Sequence, residues 1–321
     1  MTESPDTLKG TAEAARSEAL LLLEKGEFSP ALAAYDRALE AANATNDPAF
    51  TDWMFVCRAA AAAEIGPADQ ELVELKRVLL RTLDPGTSFR AAYTAARIYE
   101  IRRNYARAAS YNARARSLVI PLADPLLAGA AENQAGSILA ADSRFAEAAA
   151  AYRRCLDLAT ATTATDGRTP APFSPTWRAI CEDNLGYSLI ALDQVPEGLA
   201  LVHGAFETLE ALGARAYSII PLCDLSFGYL KSDRYAEARY FGEAALERLA
   251  EPEGAAAAAG ETTAASEKNV LYLLGETCHL AGDDGAARAY FDRLASLYPE
   301  FRNLRSYLEV FDFRNVINLR S

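Results

Sequence analysis

Small and aromatic residues return along the chain in one recurring phrase. Gly26-x-Phe28-x-x-Ala31-x-x-x-Tyr35-x-x-Ala38-Leu39 comes back as Ser143-x-Phe145-x-x-Ala148-x-x-x-Tyr152-x-x-Cys155-Leu156. A third copy is Asp233-x-Tyr235-x-x-Ala238-x-x-x-Gly242-x-x-Ala245-Leu246. Weaker copies are Arg103-x-Tyr105-x-x-Ala108, Asp193-x-Val195-x-x-Gly198 and Gly282-x-Asp284-x-x-Ala287-x-x-x-Phe291-x-x-Leu294. Steps of three, four and seven keep these residues on one face of a helix.

A second set of small residues stands twelve positions ahead of each anchor: Ala19, Ala96, Gly136, Gly186, Ser226 and Gly275. Two antiparallel helices joined by a tight turn approach closely only where each offers a small side chain at the crossing. Gly inside a helix costs about 1 kcal/mol against Ala, so three glycines in one register point to packing. Helix starts agree with this map. Asp47-Pro48, Asp124-Pro125 and Ser174-Pro175 put a capping side chain before a first-turn proline, ahead of a first helix of a pair. Ser29-Pro30 and Val195-Pro196 mark second helices, and Gly213 stops one. Pro221 lies inside an apparent first helix, which therefore starts near Ile220 or kinks there.

The motif small-x-x-aromatic, turn, aromatic-x-x-Ala-x-x-x-aromatic-x-x-Ala resembles that of the tetratricopeptide repeat family, and seven units cover nearly the whole chain. The resemblance implies an all-α, right-handed α-solenoid of about seven antiparallel helix pairs over residues 11–301. Residues 1–10 are expected to be a disordered tail, and residues 302–321 a capping or docking segment. In the second unit Trp53, Cys57 and Ala60 suit a first helix, and spacing puts Asp69, Val73 and Lys76 at the key positions of the second. The anchors Ala31, Asp69, Ala108, Ala148, Gly198, Ala238 and Ala287 are 38, 39, 40, 50, 40 and 49 residues apart. The usual repeat is about 34, so this is similar to the long-repeat members found in cargo-adaptor and peptide-sensor proteins. The two long steps coincide with a Thr/Pro-rich stretch and an Ala/Gly/Glu stretch. These predict inserted loops near 160–174 and 251–266.

Charge narrows the partners. With 32 Lys+Arg against 44 Asp+Glu the net charge is −12, which disfavours nucleic acid and anionic membrane surfaces. No apolar stretch is long enough to cross a bilayer, and the polar start MTESPDTLKG is unlike a secretory signal. Five cysteines, without a CxxC, each fall in a helical run as small buried hydrophobes, which suits a reducing, cytoplasmic setting. Candidate chemistry is sparse. His203 and His279 lie in different units without a Cys or Asp pattern, and Asp283-Asp284 and Glu182-Asp183 read as a turn and a helix start. No HExxH, P-loop, GxSxG or GxGxxG run occurs. The expectation is a non-enzyme with no catalytic residues, metal site or cofactor.

The resemblance implies that first helices line an inner groove that receives a peptide or a partner helix. Residues three before and one after the small residue of each first helix (Cys57 in the second unit, then Ala96, Gly136, Gly186, Ser226 and Gly275) then project inward. The candidates are Arg58, Tyr93, Arg97, Asn133 and Ser137, then Asp183, Tyr187, Phe227, Tyr272 and Glu276, with Arg90 one turn away. Arg58, Arg97, Tyr93 and Asn133 form a cationic, hydrogen-bonding half suited to an acidic segment. Tyr187, Phe227 and Tyr272 form an aromatic half. Alternatively the arginines pair with acids such as Glu64 and Glu100, and the aromatics pack in the core. The family's carboxylate clamp of Lys and Asn is only approximated by Arg58, Arg97 and Asn133. The sequence thus points to a protein–protein interaction scaffold. The alternatives are a self-associating protein, a homodimer through residues 302–321, or a peptide-sensor-like regulator.

Overall fold

The computed structural model describes residues 4–66, 68–161, 173–251, 261–308 and 311–321. Among these the chain is all-α. Seven helix pairs follow one another: α1 (Pro5–Glu24) with α2 (Phe28–Ala44), α3 (Pro48–Ile65) with α4 (Asp69–Arg81), and α5 (Pro85–Ile101) with α6 (Tyr105–Leu122). Then come α7 (Pro125–Ala141) with α8 (Phe145–Ala161), α9 (Pro175–Ala191) with α10 (Val195–Ala211), α11 (Ile219–Lys231) with α12 (Tyr235–Ala250), and α13 (Glu261–Leu280) with α14 (Asp284–Leu297). A short α15 (Leu304–Leu308) and the 3₁₀ turn Phe313–Asn315 complete it. This is a helical-repeat solenoid fold of the tetratricopeptide kind. The predicted loops fall largely on residues 162–172 and 252–260, outside the described residues; the helices after them begin at Pro175 and Glu261.

The leading residue of the repeated phrase is the turn itself. Gly26, Arg103, Ser143, Asp193, Asp233 and Gly282 all adopt left-handed backbone, with φ between 54° and 78°. The next amide then reaches back to close a six-residue loop, as in Asn104 N–H to Tyr99 O (2.8 Å) and Gln194 N–H to Leu189 O (2.9 Å). This closure satisfies carbonyls that the helix end would otherwise leave bare. One residue later the second helix starts, which is why the aromatic and the small anchor keep a constant distance from the turn.

At the anchor, backbones touch. A Cβ on Gly186 would lie 2.6 Å from Val202 Cγ2 and 2.8 Å from the Gly198 carbonyl oxygen. One on Gly198 would lie 2.6 Å from the Gly186 oxygen. In the next pair Ser226 fills the same position, and its hydroxyl donates to the Ala238 carbonyl at 2.8 Å.

The second pair departs from the rule, and the expected anchor there is corrected. Asp69 is exposed and begins α4; Leu72, three residues on, is the buried residue at that register, followed by Leu75, Val78 and Leu79. The connection differs: the C-cap Gly66 is extended (φ −176°), whereas the C-caps Lys25 and Arg102 of α1 and α5 keep φ of −91° and −77°. At the other end of the first pair, α1 begins at Pro5, within the stretch expected to be a tail. Ser4 accepts the Thr7 amide, the same cap-plus-proline start that Asp84-Pro85 makes with Thr87. Pro221 sits in the first turn of α11, which starts at Ile219 after the 3₁₀ turn Arg215–Ser218, so no kink is needed.

Two compact units share the chain, Met1–Ile138 with Arg153–Trp177, and Leu139–Tyr152 with Arg178–Ser321. The first is centred on aliphatic and small residues such as Val56, Leu75, Val78 and Ala92. The second is centred on Tyr187, Ile190, Leu225, Phe227 and Leu271. All five cysteines are buried thiols. Among the described residues no helix is long and apolar enough to cross a membrane.

Candidate functional site

The predicted stripe falls five residues to the second unit and six to the first. In the second unit the first helices α9, α11 and α13 share a face, and residues 318–320 of the same chain lie on it. Asn318 is the fixed point. Its Nδ2 donates to Ala140 O (2.8 Å), to Ala141 O (3.3 Å) and to Ser143 Oγ (3.0 Å), taking up carbonyls at the end of α7. The Tyr187 hydroxyl donates to Asn318 Oδ1 (3.1 Å) and accepts from the Leu319 amide (2.9 Å). Asn269 on α13 donates to the Leu319 carbonyl (2.8 Å), and the Leu319 side chain is buried in the same apolar cluster as Tyr187, Phe227 and Tyr272. The segment is therefore gripped through backbone and side chain together.

Arg320 carries the charge. Its guanidinium forks onto Asp224 through both carboxylate oxygens, lies 3.8 Å from Asp183 Oδ2, and stacks with its carbon 4.1 Å from the Tyr187 ring centre. Such a planar, bidentate and stacked geometry is specific to Arg. Asp224 is fully buried and Asp183 is 2% exposed. Burial pushes both carboxyls up; the neighbouring Asp224 adds to the rise at Asp183, while Arg320 opposes it at both. One cation thus faces two buried acids, with its fork on Asp224 and Asp183 alongside. Further along the face, Arg314 pairs with Asp312 and with Asp233, the left-handed residue of the α11–α12 turn. Beneath lie Tyr272 and Glu276 on α13, 5% and 2% exposed. Burial pushes the Glu276 carboxyl up to about 7. The Tyr272 hydroxyl lies against the Glu276 carboxyl, and Asp183 lies against Asp224.

In the first unit the arginines are already engaged. Arg58 joins Asp36 (2.5 Å) to Glu71 (2.9 Å), bridging three helices. Arg97 forks onto Glu64 at 2.9 and 3.0 Å and reaches Glu100 at 3.4 Å. Arg90 lies over the Trp53 ring (5.3 Å), and Tyr93 stacks on Phe89 (5.9 Å). Asn133 is buried and Ser137 half-buried. The cationic half is thus locally neutralised, as the alternative reading of Glu64 and Glu100 allows. A cleft of about 710 Å³ between α6, α7 and α8 is lined by Val119, Ile120 and Leu158, with Arg116 and Arg154 both paired to Glu132 at its edge. Of the histidines, His203 contacts the Tyr229 hydroxyl (2.7 Å). Among the described residues no group of three or more His, Cys, Asp or Glu side chains is placed to hold a metal ion.

Asp224, Asn269, Asn318 and Arg320 were not among the candidates. Asp224 had a legible signal: it is the one charged residue in the apolar run 219–230, and a buried charge demands a partner. Nothing in the local pattern names Arg320 as that partner.

No family model and no curated protein matches the chain. Solved structures match its fold. One is a Rap protein complexed with Competence and Sporulation Factor, at 12% identity and TM-score 0.68, covering 92% of this chain and 78% of that one. The apo form of RapI matches at 10% identity and TM-score 0.56, covering 93% and 82%. A STAND protein with a tetratricopeptide repeat sensor from Pyrococcus horikoshii matches at 16% identity and TM-score 0.55, covering 94% of this chain and 44% of that one. At such identities the likeness is one of fold: this chain is a helical-repeat protein.

Proposed function

We propose that the chain is a non-enzymatic, cytoplasmic interaction scaffold that holds a peptide segment of a partner protein on the α9–α11–α13 face. The observation that carries this reading is the seated segment itself. Residues 318–320 are held by backbone contacts to Tyr187 and Asn269 and by a buried Arg–Asp fork, the contacts that a docked peptide would use. The fold likeness to a Rap protein solved as a complex with Competence and Sporulation Factor supports a binding role. The five buried thiols support a reducing compartment.

Peptides selected from a displayed random library on the full chain, then rebound to an Asp224→Asn variant, test the reading. Loss of binding in the variant is expected. Peptides that bind both proteins equally would remove the face from consideration. A second reading, self-association through residues 302–321, is favoured by the exposed side chains of Tyr307, Phe311 and Val316 in that segment. Sedimentation at micromolar concentration decides it, since a monomer would exclude a dimer of useful affinity.

A further inference from the structure

The α9–α11–α13 face offers more hydrogen-bond acceptors than its present occupant uses. Residues 311–321 bring two arginines to it. Arg320 is spent on Asp224, with Asp183 only grazed at 3.8 Å. Arg314 is turned to Asp312 and Asp233, whose side chains are 47% and 67% exposed. Among the described residues two buried acids have no charge-assisted hydrogen bond: Glu276, beside the Tyr272 hydroxyl, and Asp183, beside Asp224 with Arg320 at 3.8 Å. Holding a buried carboxyl without a cation costs either the desolvated charge or the proton that neutralises it. On α11 the corresponding stripe positions are filled by Cys223 and Phe227, so an apolar residue fits that register. Acids on α9 and α13 are therefore a cost that packing alone does not require. A ligand with a second cation would remove it.

Resting on the reading of this face as a peptide site, we propose that its partner is a peptide segment with two cationic side chains. One takes the place of Arg320 between Asp183 and Asp224, and the other reaches Glu276 and Tyr272. Residues 311–321 are the built-in occupant that such a segment displaces. The occupant is suited to displacement. Its anchors are one buried ion pair, one buried leucine and the Asn318 amide, with Phe313 and Ile317 only half-buried and Phe311 and Val316 largely in solvent. Being tethered, it competes at an effective concentration in the millimolar range, so an incoming segment must exceed it in contacts made. Asp183 and Glu276, neither hydrogen-bonded to a cation, supply that excess to a dibasic segment and deny it to a monobasic one.

The test uses the full chain in three forms: wild type, Asn318→Ala/Arg320→Ala to release the segment, and Glu276→Gln, which is isosteric and keeps the fold. The probes are a fluorescein-labelled peptide of the 311–321 sequence and a set in which each uncharged position is changed to Lys in turn, read by anisotropy. The parent peptide is expected to bind the released form at least tenfold more tightly than wild type. At least one Lys peptide is expected to gain a further tenfold, a gain absent in Glu276→Gln. Equal binding of the parent to wild type and to the released form overturns displacement. A Lys gain that persists in Glu276→Gln, or no gain at any position, overturns the two-cation assignment while leaving the peptide site standing. Failure of every peptide on every form overturns the site itself. A wild-type dimer that dissolves in the released form replaces the outside partner with a second copy and overturns the proposal.

Discussion

Removing the Arg320 side chain should free the segment that it pins. In Arg320→Ala the two bonds to Asp224 and the stack on Tyr187 are lost, and Asp224 remains fully buried without a cation. Breaking a buried ion pair from one side costs about 3–5 kcal/mol, because the abandoned charge keeps its desolvation penalty. Here the chain has an exit: the segment can lift off and let water reach the carboxylates. The loss is then read as undocking, not as global unfolding. The Leu319 amide reports it, since it donates to the Tyr187 hydroxyl. Its exchange protection should fall by about two to three powers of ten. Hydrogen exchange of peptides covering 311–321 measures this directly. Arg320→Lys, which keeps the charge but neither the fork nor the stack, should fall in between. A paired Asp224→Asn/Arg320→Met variant should lose less than Arg320→Met alone, because no charge is stranded. Protection in Arg320→Ala that stays within about threefold of wild type would refute the reasoning, since the fork would then contribute under about 1 kcal/mol.

Three further outcomes follow from the geometry. Glu276 has its carboxyl raised from 4.5 to about 7 by burial, so it favours the folded state fully below its ordinary value and loses that contribution as pH rises through 7. Glu276→Gln should therefore unfold at higher urea than wild type at pH 8, by about 1–3 kcal/mol, and match it near pH 5. Gly186→Ala should destabilise the α9–α10 pair by about 1–3 kcal/mol, because its Cβ would meet Val202 and the Gly198 carbonyl. Gly204→Ala on the same pair has nothing within 4 Å and should stabilise by about 0.5–1 kcal/mol in thermal melts. Arg97→Glu would place a third carboxylate beside Glu64 and Glu100; calorimetry should show the first unit lowered by more than about 1 kcal/mol, and Arg97→Gln by less.

What the sequence shows and hides follows the range of the forces involved. The turn, the aromatic and the small anchor lie within six residues of one another, so steric rules local to the chain make the pair visible in a string of letters. Even spacing puts Asp69 at the α4 register, but the connection there runs through an extended Gly66 and shifts the register to Leu72. The sequence Leu72, Leu75, Val78, Leu79 carried the right face all along. Ser4-Pro5 had the same cap signature as Asp47-Pro48, yet the polar residues around it read as a tail. The binding stripe was legible as a set of positions and not as a state. Arg58 and Arg97 are engaged by acids from other helices, and Tyr187 is covered by a residue 131 positions away. Nothing in a local pattern encodes such a meeting.

The irregular second pair has a mechanical meaning. A repeat array is close to a one-dimensional lattice, in which each element is held by its own strength and that of its neighbours. Six pairs close with the same left-handed link. The α3–α4 pair closes through an extended Gly66, and its second helix is thirteen residues long where α2 has seventeen and α6 eighteen. The shorter α4 has less length to pack along than α2 or α6, and its ties to α3 include the ion pairs Arg58–Glu71 and Arg81–Asp52. Under tension, as on a surface pulled by a bound partner, the first fracture should run between α3 and α4. Residues 5–65 would then part from the rest of the array while the pairs downstream stay shut.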